Sequence, residues 1–176
     1  MKSFSPEQIE KFRNDFRAAQ YPEVPVDHRE RTYRYFVLPS KLGPKELPNF
    51  VFRATPPTER IRASETPEED AVFAVSEDVR EKFRCFAVTH EIEEFMHIGI
   101  ETGGRCASAA ETEVSMLRAD EQLTEDEKAE YLRMRVQFFR DLIPYALARG
   151  DSYTPEDLEE FRGSLAVFER ANVRDA

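Results

Sequence analysis

The chain has 176 residues, 35 acidic against 25 basic, for a formal net charge of −10. That balance argues against a life on phosphate backbones or anionic lipid, so neither nucleic acid nor membrane is expected as a partner. Two Cys are too few for a disulfide scaffold, and 14 Phe argue against disorder. With no apolar run of 18 residues and no apolar segment behind the N-terminus, the reading is a reduced, cytoplasmic protein. Residues 1–176 are expected to form a single domain. Its parts are an N-terminal helix over 1–20, a small sheet with loops over 31–75, and a helical part over 76–176.

Ser5-Pro6-Glu7-Gln8 marks a helix start, with a cap residue, Pro at the first helical position and Gln three residues after the Ser. Ile9, Phe12, Phe16 and Ala19 then recur at helical spacing, and Tyr21-Pro22 ends the helix. His28, in Asp27-His28-Arg29-Glu30, reads as solvated in a polar loop. Tyr33 to Leu38 and Asn49 to Phe52 read as strands joined by a Pro- and Gly-rich stretch, and 56–70 as an exposed loop. Ala71 to Val75 is a short apolar strand. Ser76 opens a helix expected to reach about Thr102, where Gly103-Gly104 stops it. A further helix covers Cys106 to Ala119. Thr124 to Glu127 is a capping box for one reaching Gly150, with a kink or split at Pro144. Thr154-Pro155 starts the last helix. The fold class is therefore α+β, a small sheet of short strands with a mostly helical C-terminal half, the helices gathered on one side.

Chemistry concentrates in Thr89-His90-Glu91-Ile92-Glu93-Glu94-Phe95-Met96-His97, which holds two of the three His. On a helix, His90, Glu94, His97 and Glu101 fall within about 40° of one line. Imidazole and carboxylate are the usual ligands of zinc and non-haem iron. Glu91 lies about 100° round from His90. The same pattern also fits a solvated acidic face, with Cys85, Val88, Ile92, Phe95 and Met96 opposite. Against this, Phe83, Phe86 and Ala87 continue the His90 line toward the helix start, which suits the floor of a cleft. Glu94-Phe95-Met96-His97 has the Glu-x-x-His spacing of di-iron helices, but that site needs the motif twice and no His follows His97. Cys85 reads as core. Cys106 reads as a nucleophile only if His97 comes near it.

The run Ser76 to Ile92 resembles the lead-in to the active-site helix of minimal zincin metallopeptidases, the small intracellular kind that cleaves phage-type repressors. Ser108 to Leu117 resembles the later helix of that family. The resemblance covers about Ala71 to Leu117 and implies a zincin-like core, with hydrolysis of a peptide or amide bond at a divalent metal ion (Zn, Mn or Fe). It makes His90 the first ligand, Glu91 the base, Glu94 a substitute for the second His, and Glu111 or Glu113 the third ligand. His97 would restore a nitrogen ligand from the next turn. One His with two Glu is a hard, anionic set, shifting preference from zinc toward Mn²⁺, Fe²⁺ or Mg²⁺. The substituted motif is equally compatible with an inactive relative that holds no metal. Protein or peptide is the expected substrate or partner. The alternative function is a non-enzymatic acidic helical module docking on another protein through Phe138-Phe139 and Phe161 to Phe168. If the site is real, His90, Glu94 and a Glu from the next helix converge; if not, they diverge into solvent.

Overall fold

A computed structural model describes residues 3–57, 70–98 and 104–174. Helix α1 (Pro6–Ala18) is capped by Ser5, whose hydroxyl accepts from Gln8 N while the Gln8 side chain accepts from Ser5 N. Strands β1 (Glu23–His28) and β2 (Arg31–Leu38) form an antiparallel hairpin; a 3-10 turn (Ser40–Leu42), β3 (Val51–Ala54) and β4 (Val72–Ser76) follow. Helices α2 (Glu81–Met96), α3 (Arg105–Ala119), α4 (Glu125–Leu147) and α5 (Pro155–Arg174) complete the described chain. The class is α+β, with a helical C-terminal half. Among the described residues no helix is long and apolar enough to cross a membrane.

The sheet runs in the order β1-β2-β4-β3, with β2 and β4 parallel and β3 antiparallel to β4. Every residue of β4 is buried, as an inner strand requires and as its continuous apolar run Val72-Phe73-Ala74-Val75 suggests. Side chains alternate between the two faces. Phe36, Ala74 and Phe52 are cross-strand neighbours on one face, where Phe16 of α1 meets Phe36 and Phe12 meets Phe52, each with ring centres 5.3 Å apart. Tyr35, Phe73 and Arg53 are neighbours on the other, where Phe73 meets Phe95 of α2 at 5.7 Å. So α1 and α2 cover opposite faces, and the expectation that all helices share one side fails for α1. Helices α3–α5 layer onto α2: α3 packs on α2 and α5, α5 on α4, and Phe83 and Phe86 of α2 pack on Tyr131 of α4.

Several local readings differ. β1 was hidden because Pro22, Pro25 and its charged residues look like a helix stop and a loop; Pro25 is accommodated because β1 is an edge strand. Its last residue, His28, is buried, not solvated. α2 starts at Glu81, not after Ser76, because Ser76 ends β4 and its hydroxyl accepts from Asp78 N in the turn between them. α2 also ends earlier, at Met96. α4 runs unsplit through Pro144 to Leu147, since a proline one turn from the end removes only one helical bond. Residues 58–69, within the expected loop, and Glu101 lie outside the described residues.

Candidate metal centre

Helix α2 carries His90 and Glu94 one turn apart on one line, with Glu91 about 100° round from His90. The His90 ring lies between Phe139 of α4 and Phe168 of α5, at 5.8 and 6.4 Å. Its Nδ1 stands 2.9 Å from Glu113 Oε2, and Glu113 also accepts from Tyr131 Oη and from Arg135 Nη2 at 3.2 Å, with Arg135 Nε at an ion-pair distance of 2.8 Å. Burial pushes the Glu113 carboxyl up, but Arg135, His90 and Tyr131 hold it below the usual range. A carboxylate only accepts, so Nδ1 donates to Glu113 and Nε2 is the ring nitrogen turned toward Cys106 and Glu94.

His90 Nε2 lies 3.3 Å from Cys106 Sγ and 3.9 Å from Glu94 Oε1. Cys106 is the second residue of α3, which opens on Gly104 at φ +74°, a left-handed conformation glycine adopts without strain. Ser164 Oγ lies 2.7 Å from Cys106 Sγ, and the Cys106 amide donates to Glu160 Oε2 at 2.8 Å. Burial and the Glu94 charge push the Cys106 thiol far up. Glu94 is pushed up by burial but held below its usual value by Arg53 and His90; Arg53 Nη2 is 2.9 Å from Glu94 Oε2. Arg53, from β3, also donates to the Glu91 carbonyl at 3.1 Å. Burial raises the Glu91 carboxyl, Arg53 opposes this and Glu94 adds to it, for a net rise.

One donor atom each from His90, Glu94 and Cys106 lie within 4.8 Å of one another, all three residues buried. Donors sharing one tetrahedral zinc at about 2.0–2.3 Å stand roughly 3.3–3.8 Å apart, so this set fits a divalent ion with small adjustments. Charge agrees. The carboxylates of Glu91, Glu94 and Glu113 against Arg53 and Arg135 leave one net negative charge, which a divalent ion with a Cys106 thiolate would neutralise. Glu113 fits the outer carboxylate that fixes a ligating His. The three groups line a pocket of about 580 Å³, and Glu91 and Arg53 line it as well.

Of the site residues expected from the sequence, the structure brings together His90, Glu91, Glu94 and Glu113. Glu113 meets His90 on its far nitrogen. Glu111 is exposed, about 200° round α3 from Glu113, and faces Arg170 at 3.9 Å. His97 stands apart from His90, its Nδ1 on the Glu93 carbonyl at 2.9 Å. Cys106 meets His90, not His97. The motif side chains turn inward, and Phe139 and Phe168, expected in a docking surface, are buried. Sequence reasoning missed Arg53, Tyr131 and Arg135 entirely. The signal for Cys106 was weak: a Cys at a helix start after Gly-Gly. Comparison with known protein families, characterised proteins and solved structures finds no match.

Proposed function

We propose that the protein is a metal-dependent hydrolase acting on an amide or peptide bond, with His90, Glu94 and Cys106 as the ligands. The observation that carries this reading is the convergence of those three donors in the wall of a largely apolar pocket that Glu91 also lines. A divalent ion held by His90, Glu94 and Cys106 would supply Lewis acidity to a carbonyl and to water. Glu91 is the group placed to take a proton from that water and hand it to the leaving nitrogen, and a carboxyl raised above its ordinary range suits both steps. Arg53 balances the charges of Glu91 and Glu94 and ties them to β3. Glu113 holds the His90 proton on Nδ1. A thiolate in place of a second carboxylate softens the set and moves the preference back toward zinc.

A second reading has one observation in its favour. Cys106, His90 and Glu113 line up as a thiol nucleophile, its base and the base's orienting carboxylate. Burial and the adjacent Glu94 keep the thiol protonated, which weighs against it.

The deciding experiment is elemental analysis of protein purified without chelator and after zinc loading, beside His90→Ala, Cys106→Ser and Glu91→Gln. The expected result is close to one zinc per chain, lost in the first two variants and kept in Glu91→Gln, whose turnover falls by about 10²–10⁴. No metal in the wild type after zinc, manganese and iron supplementation overturns the metal reading. Rapid iodoacetamide alkylation of Cys106 near neutral pH would then favour the thiol.

A further inference from the structure

We propose that the pocket beside the metal centre takes one neutral, medium-length acyl chain, so that the substrate is a small N-acyl amide and not a peptide; this rests on the hydrolase reading. The volume of about 580 Å³ falls within the range of roughly 300–1,000 Å³ in which whole small molecules bind. Most of its lining is apolar. Phe12, Phe16, Phe50, Phe52, Phe138 and Leu142 line it together with Arg53, His90, Glu91, Glu94 and Cys106, and Tyr145, Ser152 and Tyr153 add three hydroxyls. Asp157, also on the wall, already accepts from the Thr154 amide at 2.9 Å.

A peptide brings an amide group with every residue, and each one buried without a partner costs free energy. Beyond the hydroxyls of Tyr145, Ser152 and Tyr153, such walls offer mainly apolar surface. An alkyl or aryl chain asks for nothing but apolar contact. Charge selects further. Arg53, the cation at the metal centre, is engaged by Glu94 and by the Glu91 carbonyl. Two carboxylates face the same space. A neutral amide fits there; a free carboxylate does not, which also favours departure of the acid product. The reaction consumes one water. Its oxygen bonds to the acyl carbon, the carbon–nitrogen bond breaks, and the proton taken by Glu91 leaves on the amine.

The test is calorimetric titration of the zinc-loaded and the metal-free protein with N-methyl amides of two to ten acyl carbons, and with decanoate. In both forms the affinity is expected to rise about three- to fourfold per methylene, as burial of each CH₂ predicts. In the metal-free form N-methyldecanamide should bind at least tenfold more tightly than decanoate. Leu42→Glu places a charge on the wall at a half-exposed position of the 3-10 turn, so the fold should tolerate it. It should weaken N-methyldecanamide tenfold or more and leave N-methylacetamide unchanged. Ser152→Phe, which fills the pocket from a turn, should do the same and serves if Leu42→Glu does not fold. Equal affinities across the series, or tight binding of a tetrapeptide amide with no chain-length slope, overturn the proposal. The hydrolase reading is scored separately by zinc stoichiometry: its failure with the slope intact removes the chemistry and not the chain-binding pocket.

Discussion

Glu113 has no exposed surface, and its two oxygens meet His90, Tyr131 and Arg135. Each partner is buried as well, so the group cannot be dissected without leaving a charge or a dipole stranded. Glu113→Gln keeps the shape and removes the charge. Arg135 then has no counter-ion, and stability measured by urea unfolding is expected to drop by about 3–5 kcal/mol. The variant should also bind zinc about 10–100-fold more weakly, because His90 loses the carboxylate that fixes its tautomer. An unchanged zinc affinity in a folded Glu113→Gln would remove Glu113 from the centre. The sequence offered Glu111 or Glu113 as a third ligand; the structure sets Glu113 against His90 Nδ1, and which imidazole nitrogen it meets depends on how α3 lies across α2.

At the scale of elements, α2 is held from both sides of the sheet's end. Its reactive face is tied to β3 by Arg53. Its other side is tied to the β1–β2 hairpin by Glu93, which pairs with His28 and takes Arg29 on both oxygens at 2.9 and 3.1 Å. Arg29 sits at φ +53° in the two-residue turn between the strands, a costly conformation for a non-glycine residue. The ion pair with Glu93 offsets part of that cost. Burial pushes the Glu93 carboxyl up, but Arg29 and His28 hold it below its usual range. A depressed carboxyl stabilises the fold fully above its unfolded value of about 4.3 and loses that contribution as the pH falls through the lower folded value. Glu93→Ala should therefore cost about 1.5–3 kcal/mol at pH 7. Thermal unfolding at pH 7 and at pH 3 should show the gap between wild type and variant narrowing in acid; an equal gap at both would refute the link. The sequence showed Glu93 only as one more acid on a charged face. The hairpin that meets it was concealed by two prolines.

For the molecule as a whole, the three candidate ligands come from two helices, and Cys106 lies 16 residues beyond His90. The unfolded chain does not hold them together, so an ion at the centre binds the folded state and stabilises it. At a free zinc concentration of about 100 times Kd the gain is about 2.7 kcal/mol, or roughly 5–10 °C in Tm for a chain of this size. His90→Ala should abolish that rise while unfolding cooperatively; a rise of equal size in the variant would mean that zinc binds elsewhere.

By itself the sequence determined what depends on near neighbours. Caps, proline starts and apolar spacing located α1, α3, α4 and α5 to within a residue or two at their starts, because capping and helical periodicity act over three or four residues. The same locality located β4 and put His90, Glu91 and Glu94 on consecutive turns of one helix. The tertiary structure alone decided that α1 and α2 take opposite faces of the sheet, that Arg53 reaches Glu94, and that Cys106 joins His90 where Glu111 does not. Those outcomes depend on the direction in which one packed element crosses another, and no spacing along the chain encodes that direction.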